Sequence, residues 1–171
     1  MAKAIILMGV SGCGKSRVGE ELSKALNWAF FDGDDFHPQA NVEKMAQGIP
    51  LSDDDRRPWL ERLHTMISEH LARGRSLLVA CSALKENYRQ TLKGNMEDVK
   101  FVHLTGSFEL IYARMQQRSD HYMKAEMLRS QFDDLEEPQN TLAVAIDQPV
   151  SEILGEIIEN LKIMGESQNG I

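Results

Sequence analysis

A phosphate-binding motif lies near the amino terminus and consists of Gly9, Val10, Ser11, Gly12, Cys13, Gly14, Lys15 and Ser16. The pattern G-x-x-x-x-G-K-[ST] lets a glycine-rich backbone turn its N–H groups toward phosphate oxygens. Lys15 is predicted to reach the β- and γ-phosphates of a nucleotide, and the Ser16 hydroxyl to bind Mg²⁺. The motif follows an apolar run and opens a helical pattern, so a helix N-terminus should add positive potential. These residues predict a site for nucleotide phosphates and magnesium.

Two aspartates flank a glycine directly after the second predicted strand. One carboxylate can hold Mg²⁺ through water while the other orients or deprotonates an attacking hydroxyl. We assign Asp32 to magnesium and Asp34 to the acceptor, although the two roles can be exchanged. An Asp-Gly turn without chemistry is the alternative, and the neighbouring phosphate loop favours function. His37 is a further candidate for substrate binding, against the alternative of an ordinary loop histidine.

Cationic side chains that can recognise an anion lie at three later places in the chain. Arg56 is the first candidate, because a guanidinium can bind a carboxylate through two hydrogen bonds. Lys85 and Arg89 are one helical turn apart and come next, with a solvated basic face as the alternative. Arg114 and Arg118 can close over a transferring phosphoryl group, or they can simply complement a helix C-terminus.

Two cysteines, Cys13 and Cys81, are too few for a disulfide framework, so free thiols are expected. Cys13 lies within the phosphate loop, where backbone amides and Lys15 can acidify its thiol. The favoured alternative is a small filling residue without a redox role. Cys81 is predicted to be a buried strand residue.

Short strands and longer helices must position these residues, and they alternate along the chain. Continuous apolar runs predict strands at 4–8, 28–31, 77–81, 99–104 and 142–146. Helical spacing predicts helices at 15–26, 41–47, 53–73, 86–92, 108–117, 125–135 and 150–164. This alternation predicts a single α/β domain over residues 1–171, with a parallel sheet and ligands at the carboxyl ends of its strands. The segment at about 114–135 is predicted to be a lid, and residues 166–171 a frayed tail.

Composition narrows the possible partners. The 171 residues are 42% hydrophobic and 26% charged, as in ordinary soluble globular domains. A net charge of −7 without a polybasic run argues against nucleic acid and anionic membranes as partners. The first apolar run is too short for a signal peptide or a membrane span. We therefore expect a cytoplasmic protein that acts on a small molecule.

These motifs, taken together, resemble the gluconate kinase (gluconokinase) family of small P-loop kinases. Matching segments follow in order over most of the chain: 9–16, 32–35, His37, Pro38, Asn41, Lys44, Met45, Gly48, Pro50, Leu51, 53–56, 58–60, 81–85, Tyr88, Arg89, His121, 130–132 and 135–138. The composite is far more specific than the phosphate loop alone. Two departures are Cys13, where serine is common, and Lys124, where many members have proline.

The resemblance implies transfer of a phosphoryl group from ATP, with Mg²⁺, to the 6-hydroxyl of D-gluconate. It also implies an adenylate- or shikimate-kinase-like three-layer fold with five parallel strands, a moving lid and a homodimer. The implied catalytic residues are Lys15, Asp32, Asp34 and Arg118. The implied substrate-binding residues are Asp34, His37, Arg56, Lys85, Arg89 and His121. Adenine is expected against the lid-side helix and residues 147–149.

Three other functions remain possible at this point. A kinase of the same fold can act on shikimate or a nucleoside monophosphate instead. A nucleotide-dependent switch would bind ATP without a small acceptor. An inactive paralogue is disfavoured because Lys15, Ser16, Asp32 and Asp34 are all intact.

Overall fold

One parallel sheet of five strands forms the middle layer of the molecule. Its strands are β1 (Ala4–Met8), β2 (Ala29–Asp32), β3 (Leu77–Ala80), β4 (Val99–Thr105) and β5 (Leu142–Ala145), in the order β2-β3-β1-β4-β5. The structure is a computed structural model that describes residues 1–118 and 124–166, with side chains through residue 162. The predicted α/β class with five parallel strands is confirmed.

Helices follow or connect these strands as the hydrophobic spacing predicts. They are α1 (Lys15–Leu26), α2 (Gln39–Ala46), α3 (Asp53–Ala72), α4 (Glu86–Lys93), α5 (Phe108–Gln116), α6 (Ala125–Asp134) and α7 (Val150–Glu166). A short 3₁₀ helix at Gly33–Phe36, for which the sequence pattern predicts no helix, follows β2. Residues 167–171 of the predicted tail lie outside the described residues. In the described part of the chain, no helix combines the length and apolarity needed to cross a membrane.

The core lies on both faces of the sheet, and β1 shows why its sequence is continuously apolar. Ile5 and Leu7 pack into one cluster, while Ala4, Ile6 and Met8 pack into the other. All five residues are fully buried, so neither face of the strand can carry polar side chains. Helices therefore cover both faces, and the three-layer arrangement places the polar segments at the strand ends.

The start of α3 is fixed by a capping box. The Ser52 hydroxyl accepts a hydrogen bond from Asp55 N–H at 3.1 Å, and the Asp55 carboxylate accepts one from Ser52 N–H at 2.9 Å. Lys44 also donates to Asp55 at 2.8 Å, and the hydrogen bonds from Lys44 and Ser52 lower the pKa of Asp55 to about 2. This cap anchors the first turn of α3, which carries Asp53 and Arg56, at the carboxyl edge of the sheet.

Candidate active site

The phosphate loop joins β1 to α1, and its backbone geometry requires glycine. Gly9 has a φ of +146°, and a Cβ atom there would lie 2.8 Å from both Cys13 Sγ and the Leu104 carbonyl oxygen. Gly14 has a φ of +94° and immediately precedes α1. The glycines therefore allow the close backbone turn that the motif predicts.

Lys15 lies over the loop that it is predicted to serve. Its Nζ donates to the carbonyl oxygens of Gly9 at 2.9 Å and Val10 at 3.0 Å. The same nitrogen lies 3.8 Å from Cys13 Sγ, and Cys13 is almost fully buried. A positive charge is thus held at the mouth of the loop, where phosphate oxygens would lie.

Ser16 and Asp32 form an oxygen-rich pair beside the loop. Ser16 Oγ donates to Asp32 Oδ2 at 3.1 Å, and Asp32 Oδ1 accepts a hydrogen bond from Asp34 N–H at 3.0 Å. Hydroxyl and carboxylate oxygens are ligands that Mg²⁺ prefers when phosphates and water complete its octahedron. The described residues contain no group of three His, Cys, Asp or Glu side chains that could hold a metal alone. The pair therefore fits a magnesium ion that arrives with a nucleotide.

Asp34 lies in a cleft beside the phosphate loop, and this cleft has a volume of about 480 Å³. The cleft is also lined by Lys15, Ser16, Asp32, Ser82 and Arg118. Although the Asp34 side chain reaches solvent, partial burial raises its pKa, and the carboxylates of Asp32 and Asp35 raise it further against the opposing effect of Lys15. A carboxylate with a raised pKa is a better proton acceptor than an ordinary aspartate.

His37 is fixed by an aromatic partner and an amide. Its ring stacks on Trp59 at 4.1 Å between centroids, and Trp59 Nε1 donates to the Gly33 carbonyl at 2.7 Å. Asn41 Nδ2 donates to the Asp55 carbonyl at 2.8 Å and lies 3.3 Å from His37 Nδ1, so Nδ1 is the acceptor. Burial, assisted by the charge of Arg56, lowers the pKa of His37. The lowered pKa favours a neutral His37 ring at neutral pH, and the Asn41 contact favours the tautomer with its hydrogen on Nε2.

Arg56 and Lys85 come together around one tyrosine. Arg56 Cζ lies 5.4 Å and Lys85 Nζ 5.8 Å from the centroid of the Tyr88 ring. Arg56 Nη1 donates to the Tyr88 hydroxyl at 3.2 Å and to the Leu51 carbonyl at 2.8 Å. The two predicted carboxylate-binding cations thus form one cluster, which we call the cation cluster (Arg56, Lys85 and Tyr88).

Arg89 does not join the cation cluster, because its side chain contacts other groups, and its role in substrate binding stays a prediction. The side chain is only 4% exposed. Its Nε and Nη2 contact Glu86, while Nη1 donates to the carbonyls of Ala83 and Leu84 and Nη2 also to that of Glu136. A guanidinium has five N–H donors, and four of them form hydrogen bonds here, while Nη2 also forms an ion pair with Glu86. Arg89 is a structural residue that ties α4 to two loops.

Arg89→Ala should therefore lower stability rather than only substrate affinity. The substitution leaves buried carbonyl oxygens without a donor, so we expect the free energy of unfolding to fall by about 3 kcal/mol. Urea denaturation measures this change. Arg75→Ala, at an exposed arginine, is the control and should cost less than about 0.5 kcal/mol. Unchanged stability with a raised KM for the acceptor would instead support a binding role of Arg89.

Arg114 and Arg118 lie beside the phosphate loop, at the end of α5. Both line a second cleft of about 700 Å³, together with Arg17, Gln148 and Pro149. Arg114 Nη2 also donates to the Ile146 carbonyl at 2.9 Å. This cleft adjoins the phosphate loop and includes part of the 147–149 segment at which adenine is expected. His121 lies outside the described residues.

Gln131 is a contact of the phosphate loop to which the sequence analysis assigned no role. Its Oε1 accepts a hydrogen bond from Ser11 N–H at 2.7 Å, and its Nε2 donates to Ser11 Oγ at 2.9 Å. Helix α6, within the predicted lid, is thereby joined to the loop. The only signal in the sequence was the 130–132 match to the family, since 120 residues separate the partners.

Comparison with known proteins identifies the family. The protein family described as shikimate kinase matches residues 11–162. The thermoresistant gluconokinase of Escherichia coli (strain K12) is 43% identical over 161 residues, covering 92% of this chain and 92% of that protein. The chain belongs to the gluconokinase family of small P-loop kinases. A gluconokinase of Gluconobacter oxydans (strain 621H) is 42% identical over 152 residues, covering 89% of this chain and 82% of that protein.

A solved gluconokinase extends this agreement to three dimensions. The crystal structure of a gluconokinase from Sinorhizobium meliloti 1021 is 41% identical and superposes with a TM-score of 0.80, covering 95% of this chain and 97% of that chain. The predicted P-loop kinase fold and the predicted resemblance to the gluconokinase family are confirmed.

Proposed function

We propose that this member of the gluconokinase family transfers the γ-phosphoryl group of ATP to the 6-hydroxyl of D-gluconate. The observation that carries the proposal is that three groups follow parallel strands of one sheet, whose carboxyl ends lie at the same edge. The phosphate loop follows β1, the acidic turn follows β2, and Lys85 of the cation cluster follows β3. Donor phosphates, an acceptor hydroxyl and an acceptor carboxylate each have a matching partner there.

The proposed mechanism uses Asp34 as proton acceptor. As the 6-hydroxyl oxygen attacks the γ-phosphorus, its proton moves to the Asp34 carboxylate, and the bond between phosphorus and the bridging oxygen breaks to leave ADP. Lys15 and Arg118 would stabilise charge on the phosphoryl oxygens during transfer. Ser16 and Asp32 would hold Mg²⁺, which, when bound, neutralises phosphate charge. The Ser16–Asp32 pairing supports this division of roles between the two aspartates.

We propose that Arg56, Lys85 and His37 recognise the acceptor. Arg56 and Lys85 would bind the gluconate carboxylate, since both cations lie against Tyr88. His37, as a neutral ring with hydrogen on Nε2, would donate to a gluconate hydroxyl. Adenine is proposed to bind in the second cleft, near Arg114 and Gln148.

Three further predictions concern the whole protein and stay predictions: a homodimer, a single domain and a cytoplasmic location.

A panel of acceptors tests the proposed function. ADP release with Mg-ATP is measured for gluconate, other aldonic acids, shikimate and nucleoside monophosphates. We expect strong stimulation by gluconate. Stimulation by shikimate instead would keep the kinase fold and discard gluconate as the acceptor, and ATP binding without any stimulation would favour a nucleotide-dependent switch.

Arg56→Ala should raise the KM for gluconate by about tenfold or more, because it removes a charged hydrogen-bond donor to the carboxylate. The KM for ATP should change much less. Steady-state kinetics with each substrate varied in turn measures both values. Arg57→Ala is the matched control, since the neighbouring Arg57 is 64% exposed and pairs with Asp54 instead. If only the ATP constant moves, Arg56 does not bind the carboxylate.

A further inference from the structure

The cation cluster already holds a carboxylate that belongs to the protein itself. The Tyr88 hydroxyl donates a hydrogen bond to Asp53 Oδ1, and Lys85 Nζ lies 4.0 Å from the same oxygen. Arg56 donates to that hydroxyl from the other side, so a continuous chain runs from the Arg56 guanidinium through Tyr88 to Asp53. Asp53 thus contacts two members of the cation cluster, Tyr88 and Lys85, and is linked to Arg56 only through the Tyr88 hydroxyl.

Capping of α3 does not require Asp53. Ser52 and Asp55 form the capping box, and Lys44 completes the contacts of Asp55. The next residue, Asp54, has the same charge in the same helical turn but pairs with Arg57 on the surface. Of the three aspartates at 53–55, Asp53 is therefore the one whose side chain contacts Tyr88.

The position of the Tyr88 hydroxyl suits it to donate a hydrogen bond to a carboxylate. Its side chain is largely buried, with the hydroxyl placed between Arg56 and Asp53. Burial, and then the hydrogen bond to Asp53, raise the pKa of Tyr88 to about 12. The hydroxyl therefore keeps its proton at neutral pH and acts as a donor to an anion. Asp53 is 54% exposed, so it can leave this position without opening the core.

We propose that Asp53 is an internal counter-carboxylate, which Tyr88 and Lys85 hold until the carboxylate of the acceptor replaces it. The inference rests on the proposed function. Replacement exchanges one carboxylate for another: Tyr88 then donates to the acceptor, and Asp53 moves into solvent. Asp53 and Tyr88 thereby set the affinity for anionic acceptors. An acceptor without a carboxylate cannot balance the positive charges of Arg56 and Lys85, so Asp53 would have to stay in place.

Asp53→Asn tests this exchange, because the amide keeps the shape and loses the charge. Removing a partly exposed competing charge should lower both the KM and the calorimetric Kd for gluconate by about fivefold. Added salt should shrink the difference, since exposed charges are screened. The KM for ATP should stay unchanged. Asp54→Asn is the control, because it removes the same charge from the same turn and should leave the gluconate constants as they are.

The outcomes separate this inference from the proposed function. If wild-type protein phosphorylates gluconate and Asp53→Asn either matches Asp54→Asn or raises the gluconate KM, the exchange is wrong and the proposed function stands. If wild-type protein neither binds nor phosphorylates gluconate, both are wrong. Thermal unfolding of the two variants checks folding, and Asp53→Ala, which also removes the hydrogen-bond acceptor, should lower the gluconate Kd as well.

Discussion

Replacing Lys15 by alanine is expected to reduce turnover by about two decades or more, because the substitution removes charge stabilisation of the transferring phosphoryl group. In the structure, Lys15 Nζ lies against the carbonyl oxygens of Gly9 and Val10, at the mouth of the phosphate loop. Among the residues that the structure describes, no other lysine lines the cleft beside this loop. The measurement is kcat for ADP release at saturating gluconate and Mg-ATP.

The matched control is Lys24→Ala in the last turn of the same helix. Lys24 is 73% exposed and pairs only with Glu21 among the described contacts, so its loss should leave turnover near the wild-type value. Circular dichroism of both variants checks that α1 is intact. Near-normal turnover of Lys15→Ala would remove Lys15 from the proposed mechanism.

Asp34→Asn should have the second large effect, a fall in kcat of about two decades with ATP affinity almost unchanged. Loss of a general base costs on this scale, because the amide cannot accept the proton of the acceptor hydroxyl. The measurements are kcat and the Kd for Mg-ATP. Asp35→Asn is the control, since Asp35 is also exposed but does not line the cleft that contains Asp34. Equal loss of turnover and ATP affinity would point instead to a role of Asp34 in holding magnesium.

The raised pKa of Asp34 also predicts how kcat should depend on pH. A base works only when ionised, so kcat should fall as the pH drops through the raised pKa of Asp34. This fall should begin at a higher pH than an ordinary aspartate would give. Because the pKa of Asp34 is raised in the folded protein, ionisation of this side chain disfavours the folded state. Protonated Asp34 therefore contributes stability at low pH, and this contribution is lost as the pH rises through the folded pKa. Asp34→Asn should therefore not lower the unfolding temperature at neutral pH, and it should remove this acid limb from the residual activity.

Much of the fold follows from local sequence. Strands β1 and β3 were predicted from continuous apolar runs, because a strand covered by helices on both faces has no side on which to place polar residues. The phosphate loop was predicted from its glycines and from Lys15, whose spacing is set by local backbone geometry. Asp32 and Asp34 are predicted to act together with the phosphate loop, because the carboxyl ends of parallel strands lie at one edge of the sheet.

Arg89 shows where local spacing fails. Lys85 and Arg89 are four residues apart, and that spacing alone predicts a shared face and a shared ligand. The Leu84 and Glu136 carbonyls instead converge on Arg89, and Glu136 lies 47 residues away in the sequence. Each nitrogen of this guanidinium therefore already has a protein partner. No pattern within α4 distinguishes a buried arginine of this kind from a solvated one.

The sequence by itself determined which chemistry is available in this protein: phosphate binding by a glycine loop, carboxylates beside it and cations for an anionic acceptor. Only the tertiary structure decided which of these groups meet. Tyr88 and Asp53 are 35 residues apart, and Gln131 and Ser11 are 120 apart. The physical reason is that residue spacing fixes neighbours within one helix or strand, whereas hydrogen bonds between elements depend on how packing of the whole core brings those elements together.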